Sequence, residues 1–233
     1  MLRVDGLQAS YGRSQILFDV RLAVGQGELV TLLGRNGMGK TTTVRCIMGL
    51  TPTRRGTVEF GNTPVTGWLP EAIARRGVGL VPEGRQVFPL LTVEENLVAT
   101  AANRLALAEP WRLADVYRLF PRLKERHNQY GRTLSGGEQQ MLAFGRALMT
   151  NPLLLILDEA TEGLAPVIRS EIWECIGLLK SRGQSILIID KNLHVLQRLA
   201  DRHYVIEKGR TVWSGTSAEM DRDRELVHRY VGL

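Results

Sequence analysis

Residues 34–41, GRNGMGKT, set the terms for the rest of the chain. Glycines at 34, 37 and 39 let the backbone take conformations that a Cβ resists, so successive amide N–H groups can converge on one anion. Lys40 adds a point charge, and Thr41 adds a hydroxyl able to ligate a magnesium ion. The stretch fits G-x-x-x-x-G-K-[ST], and its surroundings suit that pattern. Glu28 to Leu33 reads as a buried strand, and Thr42 to Met48 as a helix whose positive end faces the same phosphates. Gly34, Arg35, Asn36, Gly37, Met38, Gly39, Lys40, Thr41 and Thr42 are therefore the candidate phosphate cradle.

A phosphate grip needs a partner for the metal and a group to aim water. Residues 153–159, LLLILDE, offer both, because five apolar residues make a central strand and two carboxylates follow at its end. Ligands bind at that end of parallel strands in open sheets. Asp158 is the candidate magnesium ligand, since the ion is hard and prefers oxygen. Glu159 is the candidate to orient or deprotonate an attacking water. A strand can also end in acids merely to cap a following helix, but a phosphate loop earlier in the chain favours the catalytic reading.

Residues 134–140, LSGGEQQ, narrow the class further. Ser135 with Glu138 reads as a capping box, and Met141, Leu142, Phe144, Leu148 and Met149 give the helix a buried face. Gly136 and Gly137 each weaken a helix by about 1 kcal/mol, so helix stability alone does not explain them. Bare amides at a helix start make a second anion site. With no lysine or metal ligand of its own, it reads as half of a site completed elsewhere.

Along the chain, Leu2 to Tyr11 and Ile16 to Val24 read as strands around a turn at residues 12–14, and Gly56 to Gly61 as a short exposed strand. Leu69 to Arg76 suits a short helix and Val78 to Val81 a buried strand. From Thr92 to Thr150 the chain reads as helical, opened by a Thr92/Glu95 capping box, with a helix from Trp111 to Phe120 that Pro121 ends. Then come a strand at Leu153 to Leu157, a helix at Pro166 to Arg182, a strand at Ser185 to Ile189 and a helix at His194 to Ala200. A hairpin over Tyr204 to Trp213 turns at Lys208-Gly209, and a terminal helix is expected at Arg222 to Tyr230. The alternation argues for an α/β fold, a mostly parallel sheet with helices on both faces, interrupted by a helical segment.

The 233 residues, 44% of them hydrophobic, can bury one sizeable core. No apolar run approaches the ~20 residues that span a bilayer, and the first fifteen residues lack the apolar core of a secretory signal, so the cytoplasm is expected. Cys46 and Cys175 stand among apolar neighbours and read as buried thiols. A net charge of +6 permits an anionic partner, but the arginines are scattered and most read as solvated surface.

GRNGMGKT, LSGGEQQ and LLILDE, in this order and spacing, resemble the nucleotide-binding subunits of ATP-binding cassette (ABC) transporters over essentially the whole chain. The resemblance implies a P-loop NTPase fold of the RecA-like kind with an antiparallel β subdomain. The core would comprise 1–91 and 151–233, and 92–150 would be an inserted α-helical signature subdomain. It implies ATP and Mg2+ as ligands, with a second ABC ATPase subunit paired head to tail. Ser135, Gly136, Gly137 and Glu138 would then contact a nucleotide held by the other subunit, and Tyr11 would stack on adenine.

Finer stretches, VPEGRQVFPLLTVEENL at 81–97, LFPRLKER at 119–126, TLSGGEQQMLAFGRALM at 133–149 and EGLAP at 162–166, resemble the ATPases of branched-chain amino acid importers. Urea importer ATPases are near relatives, in which glutamine usually follows Val-Pro; Glu83 here favours the amino acid class. The resemblance implies two integral membrane permease subunits, an extracytoplasmic substrate-binding protein, and a peripheral place on the cytoplasmic face of the inner membrane. No nucleic-acid partner is expected, because the chain has one cassette, no Cys-x-x-Cys hook and no basic tail. A small-molecule kinase is the third class, and LSGGEQQ argues against it.

Three positions depart from the general scheme. Glu83 stands where a glutamine usually touches magnesium, Lys191 where a switch histidine is usual, and Ala165 where an aspartate is usual. Lysine can bind a γ-phosphate oxygen but cannot alternate between donor and acceptor near neutral pH. Glu159 is thus expected to carry hydrolysis, with Lys191 giving charge stabilisation only.

Overall fold

Short runs of branched apolar residues dictate the centre of the molecule. A computed structural model describes residues 1–223. LVTLL, LLILD and SILII form β3 (Leu29–Leu33), β7 (Leu154–Asp158) and β8 (Ser185–Ile189), each buried along its whole length. Strands buried on both faces read as continuous apolar runs, and their alternate residues still part to opposite sides. Leu155, Leu157, Ile186 and Ile188 join one core, while Leu154, Ile156, Leu187 and Ile189 join the other.

Among the described residues the sheet has ten strands in the order β5-β4-β1-β2-β10-β9-β3-β8-β7-β6. One end is antiparallel, with β1 (Leu2–Tyr11) between β2 (Ser14–Val24) and β4 (Thr53–Phe60), and β5 (Thr63–Pro64) on the edge. The other end is parallel: β6 (Val78–Val81), β7, β8, β3 and β9 (Arg202–Glu207). The final strand β10 (Arg210–Gly215) runs antiparallel to β9 and touches β2.

On one face lie α1 (Lys40–Ile47) and α2 (Pro70–Arg75), which bury Val44, Cys46, Ile47 and Ile73 with the antiparallel strands. The other face carries α3 (Val93–Ala99), α4 (Leu113–Leu119), α5 (Pro121–Glu125), α6 (Gly136–Met149), α7 (Pro166–Ser181) and α8 (Leu193–Leu199). Phe120 and Phe144 meet edge to face at 6.0 Å in this core, which Val93, Leu97 and Val116 share with β7 and β8. The helical segment is thus seated on the sheet rather than held off it. Cys46 and Cys175 are buried, free thiols.

Several expectations need adjustment. Residues 100–112 are not helical: the backbone there is tied to Asn151, whose side chain accepts from the Trp111 amide and donates to the Ala102 carbonyl at 3.0 Å. The helix expected from Trp111 starts at Leu113, where the Asp115 carboxylate accepts from the Arg112 amide, and Pro121 begins a new helix as well as ending one. The hairpin strand β9 lies beside β3, in the middle of the sheet. A short helix, α9 (Ser217–Arg222), follows β10 and is opened by a Thr216/Glu219 capping box. The terminal helix expected at Arg222 to Tyr230 lies outside the described residues, apart from Arg222, which ends α9, and Asp223, which follows it.

Candidate active site

At the end of β3 the chain leaves the sheet through Gly34, whose φ is +143° and where an added Cβ would lie 2.3 Å from the Ile206 carbonyl oxygen. No other residue fits that crossing. Gly39, at φ +105°, precedes α1 and supplies no side-chain cap, so the first amides of the helix are left for an anion. Lys40 folds back over the loop and donates to the carbonyls of Gly34 at 2.9 Å and Arg35 at 3.1 Å. Burial lowers its affinity for a proton, Glu159 and Asp158 oppose that, and Lys191 acts in the same sense as burial. The loop is braced from the far end of the chain: Gly209 donates to the Met38 carbonyl at 3.0 Å.

Asp158, at the end of β7, is 3% exposed. Burial pushes its carboxyl up to about 6, and the nearby Glu83 charge adds to that; the Thr41 hydroxyl and Lys40 pull the other way. A cleft of ≈ 400 Å³ opens above, lined by Tyr11, Ile16, Asn36, Gly37, Gly39, Lys40, Thr41, Thr42, Glu83 and Glu159. Residues from four separate stretches of sequence therefore converge on one opening. A larger hollow of ≈ 670 Å³ lies at the opposite ends of the parallel strands, beside Gln26, Leu153 and Ser185, and holds none of the candidate phosphate, metal or water-handling residues. Chemistry, not size, identifies the site.

Glu159 takes φ +51°, which turns the chain as it leaves β7, and its amide donates to the Ile189 carbonyl at 2.9 Å. Its carboxyl is pushed up to about 7, first by a hydrogen bond shared with Glu162 and then by burial, while Lys191 and Lys40 act to lower it. Glu162 is lowered in turn, by Glu159 and then by Lys191. Lys191 lies in an adjoining cleft with Glu162, Asp190 and Asn192, and its ammonium is paired with Glu162. Glu159 lines both clefts. Sequence reasoning passed over Glu162; the only signal was an acid three residues after Glu159, in the same turn.

The signature residues lie apart. None of Ser135, Gly136, Gly137 or Glu138 lines the phosphate cleft. Ser135 caps α6, and the Glu138 carboxylate accepts from the Ser135 amide at 2.8 Å and pairs with Arg126 at 2.6 Å, so it is engaged within the chain. Gly137 has a packing reason that the sequence reading lacked, because a Cβ there would meet Ile168 of α7 at 2.9 Å. A Cβ on Gly136 would meet the Arg85 guanidinium. Ala165 precedes α7 without capping it, and His194 is exposed on α8.

The sequence model of the family described as ABC transporter matches residues 17–162, more than half of the chain. The high-affinity branched-chain amino acid transport ATP-binding protein BraG of Pseudomonas aeruginosa is 41% identical over 232 residues, covering 100% of both chains. The lipopolysaccharide export system ATP-binding protein LptB of Escherichia coli K12 is 32% identical, over 99% of this chain and 97% of that one. A solved structure of the ATP-binding subunit of an ABC transporter superposes with a TM-score of 0.84 at 30% identity, covering 100% of this chain and 95% of the other. The matched span takes in the glycine loop around Lys40, the acid pair at the end of β7 and the capped Ser-Gly-Gly helix start, and the chain belongs to the ABC transporter family of ATP-hydrolysing subunits.

Proposed function

We propose that the chain energises an importer for branched-chain amino acids from the cytoplasmic face of the inner membrane. It would dock there against two integral membrane permeases that receive substrate from an extracytoplasmic binding protein. The observation that carries this reading is the end-to-end identity of 41% with BraG. Among the described residues no helix is long and apolar enough to cross a membrane, which suits a peripheral subunit.

ATP lies in the phosphate cleft, with Tyr11 against adenine and the amides of residues 34–42 around the phosphates. Lys40 exchanges its carbonyl partners for phosphate oxygens. Thr41, Asp158 and Glu83 make an all-oxygen donor set at one side of the cleft, which fits Mg2+, an ion that takes one or two carboxylates and completes its shell from water and phosphate. When bound, that ion neutralises charge on the phosphate oxygens. Glu159 orients the attacking water and accepts its proton, and Lys191 places positive charge by the γ-phosphate. A second ABC ATPase subunit, a related chain or another copy, closes the cleft with its own Ser135, Gly136 and Gly137 equivalents. The separation of these residues from the cleft within one chain supports that arrangement.

Vesicles carrying the chain with its co-purifying permeases test the substrate. ATP-dependent uptake of labelled leucine, isoleucine or valine is expected, and uptake of urea or short amides alone would overturn the amino acid assignment. The 32% identity with LptB favours a second reading, a subunit of a lipid exporter. Recovery of the chain with an export complex, and without a binding protein, would select it.

A further inference from the structure

We infer that Glu162 is a positioning residue that holds the Lys191 ammonium aside from the phosphate cleft until a γ-phosphate competes for it. The inference rests on the assignment of Lys191 to the γ-phosphate made above. Lys191 Nζ donates to Glu162 Oε1. The loops carrying the two residues are tied to each other by Thr161 Oγ1, which donates to Asp190 Oδ2 at 2.5 Å, and by the Glu159 amide, which donates to the Ile189 carbonyl at 2.9 Å; within the Lys191 loop the Asn192 amide donates to Asp190 Oδ1 at 3.0 Å. Glu162 is itself anchored, its amide donating to the Glu159 carbonyl at 3.2 Å. The two loops are therefore held side by side independently of the Lys191–Glu162 pair.

Position and strength both suit a temporary hold. Glu159 forms the wall shared by the two clefts, so the ammonium need only pass that wall to reach the phosphate side. Glu159 is a carboxylate in the same cleft whose charge also acts on Lys191, and pairing there would block the group assigned to water. The side chains of Lys191 and Glu162 are 52% and 47% exposed, so the ion pair is solvated and weak. A γ-phosphate carrying up to two charges outcompetes such a pair, whereas a buried bridge would not yield. Arg169 lines the same cleft but donates to the Leu164 carbonyl at 3.1 Å, which leaves the Glu162 exchange to Lys191.

The test measures binding, so that it does not depend on Glu159 acting as the base. Affinities for Mg2+-ADP and for a non-hydrolysable ATP analogue with nitrogen between the β- and γ-phosphorus are measured by competition with a fluorescent nucleotide. The proteins are the parent, Glu162→Gln, Glu162→Asp, Lys191→Ala and the Glu162→Gln/Lys191→Ala double variant. Glu162→Gln should bind the analogue about two- to fivefold more tightly, the scale of one exposed ion pair. ADP affinity should not move, Glu162→Asp should restore parent behaviour, and the gain should vanish in the double variant. An equal shift for ADP, no shift at all, or a gain that persists without Lys191 would overturn the inference. Failure of every protein to bind either nucleotide would instead overturn the reading of the site.

Discussion

Thr41 Oγ1 lies 3.3 Å from Asp158 Oδ1, joining the first turn of α1 to the end of β7 across 117 positions of sequence. Hydroxyl and carboxylate meet at the point where the phosphate cradle and the acid-bearing strand come together. That contact places both oxygens where one cation can take them.

Asp158→Asn keeps the shape of the side chain and a hydrogen-bond acceptor for Thr41 while removing the charge. ATP hydrolysis should fall on the order of 10²-fold or more, the scale of losing a metal's electrostatic contribution. Initial rates across a magnesium titration check this. Parent-like rates at the parent's half-saturating magnesium would remove Asp158 from the metal site.

Glu159→Gln should lower turnover by roughly 10²–10⁴-fold, as expected for loss of a general base, yet still bind ATP. Nucleotide retained through gel filtration, together with a shift toward a dimer by light scattering, is the expected signature. A variant hydrolysing ATP near the parent rate would show that another group handles the water.

Gly209 should be intolerant of alanine. Its φ is +70°, and an added Cβ would lie 2.0 Å from the Ile16 carbonyl oxygen. The same residue donates to Met38 and accepts from the Phe18 and Asp19 amides at 2.8 and 3.1 Å, so displacement is passed to the phosphate loop. Gly209→Ala should cost about 1 kcal/mol or more, lowering Tm by about 3 °C or more, and should raise the KM for ATP. Gly61→Ala is the control: φ is +54° there, but no atom of the described residues lies within 4 Å of the added atom, so only Tm should move.

Acid should weaken the fold through His203. Its Nδ1 lies 2.7 Å from Thr31 Oγ1 and its Nε2 2.8 Å from Ser217 Oγ, while Ser217 donates to the Gln197 carbonyl at 2.7 Å. Ser217 then accepts from Nε2–H, and because burial keeps the ring neutral, Thr31 donates to Nδ1. Burial pushes His203 down to about 4 from an ordinary 6.5. The unfolded chain binds the proton first, so this contribution is complete above pH 6.5 and is lost as pH falls toward 4, on the order of 3 kcal/mol in all. Urea denaturation at pH 7.5, 6.0 and 5.0 should show that slope, and His203→Gln should flatten it. An equal slope in the variant would assign the acid sensitivity elsewhere.

Much of the fold was legible because its strands are short, apolar and bounded by glycine or charge. Val78–Val81 and Ser185–Ile189 match their expected limits, and both the Thr92/Glu95 and Ser135/Glu138 boxes form. The Thr216/Glu219 box was equally present in the sequence, but the helix behind it buries only Met220 and so leaves no apolar period to find. Residues 100–112 failed for a different reason, since side-chain bonds to Asn151, a residue in left-handed conformation, decide their path. The motif residues at 34–42 and 158–159 were readable from spacing and chemistry. Glu162 was not, because its meaning depends on the loop that brings Lys191 beside it.

The neighbours of β3 carry a consequence for synthesis. The strand that launches the phosphate loop pairs with residues 186–188 on one side and 202–205 on the other. Contacts so distant in sequence slow folding, because the intervening chain must be ordered first. During translation the loop is made early, but Gly209, which braces it, follows Met38 only after a further 171 positions. A nascent or truncated chain ending before that turn lacks the brace on its own ATP grip. The fold thereby withholds a braced phosphate loop until the turn between β9 and β10 has been made.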